Sequence, residues 1–442
     1  MADIIAAPQL SHRRVLKIAV PVVLSNVSVP LLGIVDTGVV GQMGAAAPIG
    51  AVGIGAIILT TVYWIFGFLR MGTVGLTSQA IGARDDAEVS ALLSRVLMIG
   101  GAAGFALIAL QLPIFWGAFR LAPASAEVET LARDYMSVRI LSAPAAIAMY
   151  GITGWLIAQE RTVAVLVLQL WTNLLNIVLS LAFVLGLDMG VTGAALATAI
   201  AEWTGLALGL WLCRGVFALP AWRDGQRIFD RARLWHMAAV NTDILIRSVL
   251  LMAAFTSFLF IASDFSDVTL AANQILMQFM YITAHAMDGF AFAAEALVGQ
   301  AVGARATTTL RRSALLTGGY GVAICVAMAL AFALGGGAII DILTTAEGVR
   351  AEARVYLPWM VMVPLVGCAA WMLDGIFIGA TRTRDMRNMM IIAFLGYVAM
   401  ALLLVPPFGN HGLWAALLGM FVLRGVTLAA RYPALERAVR VG

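Results

Sequence analysis

The sequence predicts an all-α integral membrane protein: twelve transmembrane helices in two parallel-repeat lobes of six. Composition, the spacing of apolar runs and an internal duplication predict it. Of 442 residues, 62% are hydrophobic and 12% charged, with mean hydropathy +0.95; an average soluble domain carries roughly 25% charged residues. Apolar runs of the ~20 residues that cross a ~30 Å hydrocarbon core recur along the chain. They lie near 15–39, 47–69, 91–116, 135–158, 162–186, 189–213, 235–262, 268–298, 313–340, 355–379, 388–406 and 411–431. The phrase Gln79-Ala80-Ile81-Gly82-Ala83-Arg84 returns 221 positions later as Gln300-Ala301-Val302-Gly303-Ala304-Arg305. The same offset carries Tyr135 onto Tyr356, Gly154 onto Gly375, Arg161 onto Arg382 and Thr162 onto Thr383. An offset of 219 carries Gly190 and Gly193 onto Gly409 and Gly412.

Six spans separate the copies, an even number, so the halves face the same way across the bilayer. That is a parallel repeat about an axis along the membrane normal, and it points to a transporter. The expected organisation is an N-lobe over 1–213, a linker over 214–234 and a C-lobe over 235–442. The first apolar run is too long for a signal-peptide core and is expected to remain uncleaved. With the N-terminus inside, the inner stretches and the linker hold 21 Lys and Arg, against four outside (Arg120, Arg133, Arg350 and Arg354). This asymmetry places both termini in the cytoplasm. It also accounts for the pI near 9.2 without a nucleic-acid partner.

The three cysteines, Cys213, Cys325 and Cys368, fit neither a disulfide framework nor a zinc site. The four histidines form no HExxH, and no GxxxxGK[ST] occurs. No cofactor, no metal and no enzymatic activity are expected. Transport must then draw on an ion gradient or on a partner ATPase.

Ionisable residues inside the spans are costly and tend to be functional. Asp36 leads them, in Leu32-Gly33-Ile34-Val35-Asp36-Thr37-Gly38-Val39-Val40-Gly41. An ionised carboxylate at mid-membrane costs ~2.5–3.5 kcal/mol on insertion scales. Neutralising it by a pKa rise of two to three units involves ~3–4 kcal/mol, the same order. Asp36 is therefore a candidate for proton exchange, the alternative being a helix-end aspartate in headgroup water.

The phrase Val35-Asp36-Thr37-Gly38-Val39-Val40-Gly41, the repeated Gln-Ala-(Ile/Val)-Gly-Ala-Arg and the run from Gly190 to Thr198 resemble the MATE family of multidrug and toxic compound extrusion transporters. The runs Asp288 to Gly299 and Asp374 to Arg382 resemble its DinF-type bacterial branch. The resemblance covers about residues 15–430. It implies a two-lobe antiporter of the bacterial inner membrane that works by alternating access. Asp36 matches a first-helix aspartate proposed to take up the coupling proton, and Pro21 a first-helix proline at a bend. Asn176, Thr198 and Thr153 match polar positions lining an N-lobe cavity. Asn173, three residues before Asn176, shares its helix face. Many relatives carry a second aspartate four residues after the asparagine, where this chain has Ser180. Sodium wants several oxygen ligands and compensating charge, while one carboxylate suffices for a proton. The expected coupling ion is H+, with Na+ the alternative.

The duplication carries Asp36 onto Ser257, so the halves are chemically unequal. The second half has Asn241, Asp243, Arg247, Asn273, Gln278, Asp288, Glu295, Asp374 and Arg424 in its spans. Asp243 and Arg247, at i and i+4, are placed to neutralise each other. Asp288 and Glu295 share a face, two turns apart, either as a substrate or cation site or as an ion-pair network with Arg247. Glu202 is open between the same readings. Expected substrates are bulky amphiphilic organic compounds, often cationic, met by walls such as Met277, Met280, Tyr281, Met287, Met149, Tyr150 and Trp155. The chain is expected to act as a monomer. A flippase for lipid-linked saccharides shares this architecture but calls for a more basic cavity than Arg139, Arg247 and Arg424 provide.

Overall fold

The computed structural model describes residues 10–42, 46–121 and 124–441, without the side chains of residues 27, 29–37 and 441. The described residues are helical throughout and contain no strand. Helix α1 spans His12–Gly41, passing through Pro21. Helix α2 (Ala46–Trp64), a 3-10 turn at Ile65–Gly67 and α3 (Phe68–Gly82) form one segment of 37 residues. Arg70 lies within this segment. Helices α4 (Asp86–Ala109) and α5 (Gln111–Leu121) meet at Leu110. Helices α6 (Ala126–Arg139) and α7 (Ala143–Ala158) join through a 3-10 turn at Ile140–Ser142. Helix α8 (Thr162–Ser180) runs on as a π-helical turn over Leu181–Gly186, followed by α9 (Gly190–Leu212). Two 3-10 turns and the short α10 (Gly225–Ile228) lead to α11 (Arg231–Ser263). Helices α12 (Asp267–Gly303), α13 (Thr307–Leu343) and α14 (Glu347–Gly379) follow. The final run, Thr383–Val441, breaks at Gly409 (φ 53°, ψ −131°), giving α15 over 383–408 and α16 over 410–441. Among the described residues nine helical segments are long and apolar enough to cross a membrane; dividing the Thr383–Arg440 segment at Gly409 and adding α1 and α12 gives twelve, the number expected. Their outer faces carry large apolar side chains such as Leu334, Ile342, Leu402 and Leu403. Helices satisfy their own backbone groups, which is what hydrocarbon demands of a spanning segment.

The backbone repeats as the sequence does. Left-handed residues occur at Arg84 and Arg305 and at Glu160 and Thr381. Each pair is 221 apart, and such residues commonly close helix C-termini. Contacts repeat too. The α-carbon of Gly154 lies on the carbonyl of Arg70, and that of Gly375 on the carbonyl of Ala291, 221 positions later in both members. A β-carbon at either glycine would strike backbone.

The chain forms two compact units. One comprises Leu24–Thr73 and Asp85–Trp235; the other comprises Met1–Val23, Val74–Arg84 and His236–Gly442. In the 24–235 unit α4 packs on α7, α8 on α9 and α2 on α6. The 214–234 linker belongs to this unit as folded structure. Buried Arg95 of α4 donates to the carbonyls of Ile228 (2.9 Å) and Arg227 (2.5 Å) and to Glu88 (2.6 Å). Arg227 reaches Asp85 at 2.9 Å, Arg233 pairs with Glu88, and Ser94 donates to the carbonyl of Trp222 at 2.9 Å. Asp230 accepts from the N–H of Arg233 at 2.9 Å at the start of α11. That hydrogen bond holds its carboxyl below the usual aspartate range.

In the 236–442 unit α12 and α13 pack on α14 around a core that includes Phe258, Trp414, Phe279 and Phe332. The two copies of the repeated phrase face each other here. A methyl on Gly82 would collide with the carbonyl of Gln300, and one on Gly303 with the carbonyl of Gln79. The contact is reciprocal, as a local two-fold requires. Gln79 also donates to the carbonyl of Gly379 (3.1 Å) and to Thr381 Oγ1 (2.9 Å).

Candidate functional site

In the 24–235 unit the polar residues of α8 line one face at i, i+3 and i+7: Asn173, Asn176 and Ser180, all buried. Asn176 Nδ2 donates to Thr198 Oγ1 at 2.8 Å, and Ser180 Oγ donates to Asn176 Oδ1 at 3.2 Å. Thr198 passes its own proton to the carbonyl of Ala194, at 3.1 Å. Asn173 Nδ2 reaches across to α1, donating to Ser28 Oγ at 2.9 Å, while Gln169 donates to Asn173 Oδ1 at 2.9 Å. Two separate neutral hydrogen-bonded groups, one joining α1 to α8 and one joining α8 to α9, thus form a polar thread along this face of α8. Each buried amide finds partners, as low-dielectric surroundings require. Directly after Ser180 the helix widens into its π turn, a feature frequent at functional sites.

The side chain of Asp36 lies outside the described residues. Its backbone lies on α1, eight residues beyond Ser28, while Ser180 lies seven beyond Asn173 on α8. As first and fifth crossings α1 and α8 run in the same direction, so both residues stand ~11–12 Å further along, at matching heights. Thr153, half-buried on α7, makes no hydrogen bond to the thread among the described residues.

One helical turn past Thr198 on α9 stands Glu202, which the sequence left open. It pairs with Arg139 at 3.5 Å. Arg139 also donates to Tyr135 Oη at 3.4 Å, and its carbonyl accepts from Tyr63 at 3.5 Å and from Ser142 at 2.7 Å. Glu202 Oε2 and Arg139 Nε have no hydrogen-bond partner among the described residues. Sequence reasoning missed this pairing because 63 residues separate its members.

In the 236–442 unit the expected Asp243–Arg247 pair does not form. Arg247 pairs instead with Asp374 of α14, which Arg424 of α16 also engages, its Nε donating at 3.2 Å. Asp243 takes Arg387 of α15 at 2.6 Å and the Thr383 hydroxyl at 3.1 Å. A buried acid bound to a guanidinium from another helix gains more than a same-helix pair whose geometry the backbone fixes. Glu295 and Asp288 lie close enough to act electrostatically on Arg247. Two cations facing one carboxylate call for that compensation. Asn273 exchanges hydrogen bonds with Asn410 at 2.7 and 3.0 Å and accepts from Trp414 at 3.0 Å.

The methionine and aromatic walls divide. Met277, Met280, Met287 and Trp155 are buried core, Trp155 donating to the carbonyl of Val89 at 2.9 Å; Tyr281 is 41% exposed. Among the described residues no cluster of His, Cys, Asp and Glu suits a metal ion.

The MatE family model matches the chain twice, at residues 21–182 and 243–403. The DNA damage-inducible protein F of Escherichia coli K12 is 38% identical over 432 residues, covering 95% of this chain and 92% of that one. A probable multidrug resistance protein NorM of Caulobacter vibrioides is 30% identical over 318 residues, covering 67% of this chain and 64% of that protein. Among solved structures, a MATE protein in the bent conformation aligns with TM-score 0.87 at 19% identity, covering 97% and 96% of the two chains. The Vibrio cholerae MATE transporter VcmN in the bent form aligns with TM-score 0.85 at 18% identity, covering 97% and 98%.

Proposed function

Because the chain belongs to the MATE family of multidrug efflux transporters, we propose that it is a proton-coupled antiporter exporting amphiphilic, often cationic organic compounds. It would act in the bacterial cytoplasmic membrane with both termini inside, through Asp36 as coupling carboxylate. The observation that supports the ion assignment is that the oxygens joining α8 to α9 already have hydrogen-bond partners. Asn176 Oδ1 already accepts from Ser180, and Thr198 Oγ1 from Asn176. A bound sodium would have to recruit several oxygens away from these partners. A coupling carboxylate needs only to gain or lose one proton, and neutral amides and hydroxyls can re-aim to serve either form. Substrate cation and proton would compete for the same negative charge, which couples their movements.

Ethidium efflux from cells lacking other pumps tests the reading. Asp36→Asn should abolish efflux while the protein still reaches the membrane in normal amount; undiminished efflux would refute the role of Asp36.

A further inference from the structure

Helices α13, α14 and α16 line an open hollow of about 970 Å³ in the 236–442 unit. Its walls are apolar, including Val322, Leu365, Met372 and Ile376, and its end carries Arg311, Tyr432 and Glu436. A second hollow of about 510 Å³ shares Arg311 and Leu315 with it and adds Thr307, Thr308, Arg312 and Arg440. The two form one crevice, with hydrocarbon-like walls inside and a basic mouth at the start of α13. Arg311 is held in place by Glu436, with Nε to Oε1 at 3.0 Å and Nη2 to Oε2 at 2.7 Å. Arg312 and Arg440 are exposed beside it, so three cations face one carboxylate. The first-turn N–H groups of α13 open at the same place, a favourable setting for a phosphate.

The internal repeat relates this crevice to a face in the first half. Moving back 221 positions carries Leu315 and Leu316 onto Ser94 and Arg95. In the first half that face of α4 is covered by the linker: Ser94 holds the carbonyl of Trp222, and Arg95 those of Arg227 and Ile228. In the second half the matching face of α13 lines the crevice.

We propose that this crevice binds one anionic phospholipid from the leaflet on the side of the termini, with an acyl chain between α13, α14 and α16. Its phosphate sits at Arg312, Arg440 and the α13 N-terminus. The volume reaches the upper end of the ~300–1,000 Å³ typical of ligand pockets. Basic pockets between transmembrane helices at the membrane surface recognise anionic headgroups. A zwitterionic lipid of the same chains fills the slot but gains less from the rim.

Native mass spectrometry of the full chain, released from micelles holding equal palmitoyl-oleoyl phosphatidylglycerol and phosphatidylcholine, tests this. One bound phosphatidylglycerol should exceed bound phosphatidylcholine by about thirtyfold, the order that two arginines beside a phosphate provide. Arg312→Gln with Arg440→Gln should bring the two lipids close to parity. Gly319 lines the cavity with nothing within 4 Å of an added β-carbon. Gly319→Leu therefore fills the slot without touching a charge, and should remove the retained lipid. Equal retention of both lipids by the unmodified chain would overturn the proposal. So would phosphatidylglycerol retained undiminished in Gly319→Leu, since that places the attraction on the charged surface.

Discussion

Asn176 of α8 donates its Nδ2 proton to Thr198 Oγ1 of α9 at 2.8 Å, and that bond ties the two helices at the heart of the polar thread. Thr198→Ala would leave a buried amide N–H without its acceptor, at ~1–3 kcal/mol. Thr198→Ser keeps the oxygen and should stay near the parent. Thermal unfolding in detergent, measured for both variants, separates the bond from the lost methyl. Equal melting of the two would show that the bond contributes nothing.

Gly82 and Gly303 take the carbonyls of Gln300 and Gln79 into the space where side chains would stand. Since the obstructing atoms are backbone, Gly82→Ala and Gly303→Ala should each destabilise this packing by ~1–3 kcal/mol. The two-fold relation predicts similar effects from both. Cysteine accessibility at Ala83 and Ala304 should rise together in each variant. A large effect from one glycine and none from the other would break the reciprocity.

Asp374 pairs with both Arg247 and Arg424, which are buried. Asp374→Asn leaves two guanidiniums without their shared anion, and breaking such a buried pair costs ~3–5 kcal/mol. The expected result is loss of monodisperse protein on size-exclusion chromatography. Full recovery of stable protein would mean that Glu295 and Asp288 suffice for both arginines.

Arg95 binds the linker through the carbonyls of Arg227 and Ile228. Arg95→Ala should raise amide exchange across residues 220–228 while leaving α12 to α14 protected. Acid should loosen the start of α11 as well. The Asp230 carboxyl is held below the usual aspartate range by the Arg233 N–H. Its contribution is present above the unfolded aspartate pKa and is lost as pH falls through the lower folded value. Exchange at Arg233 that does not change on acidification would contradict this.

The duplication was legible because close backbone contact leaves a residue-level trace: Gly82, Gly154, Gly303 and Gly375 all meet carbonyls that a β-carbon would strike. The crossings were legible because hydrocarbon thickness fixes their length. The breaks at Leu110, Ile65–Gly67 and Leu181–Gly186 were not, since apolar runs carry no sign of a local change in helical pitch. Asn173, Asn176 and Ser180 on one face followed from helical spacing. Their partners Ser28 and Thr198, and the pairs Arg139–Glu202, Asp243–Arg387 and Arg247–Asp374, join helices far apart in the chain. Same-helix spacing suggested Asp243 with Arg247, and tertiary packing offered each a better partner.

Transport through Asp36 is tested most directly in liposomes holding the purified protein under an imposed pH gradient, without sodium. Ethidium movement is followed for the unmodified chain and for Asp36→Asn. The predicted result is dye movement driven by the pH gradient alone and absent in Asp36→Asn. Dye movement that begins only when a sodium gradient is supplied, or that survives the substitution, would contradict proton coupling at this carboxylate.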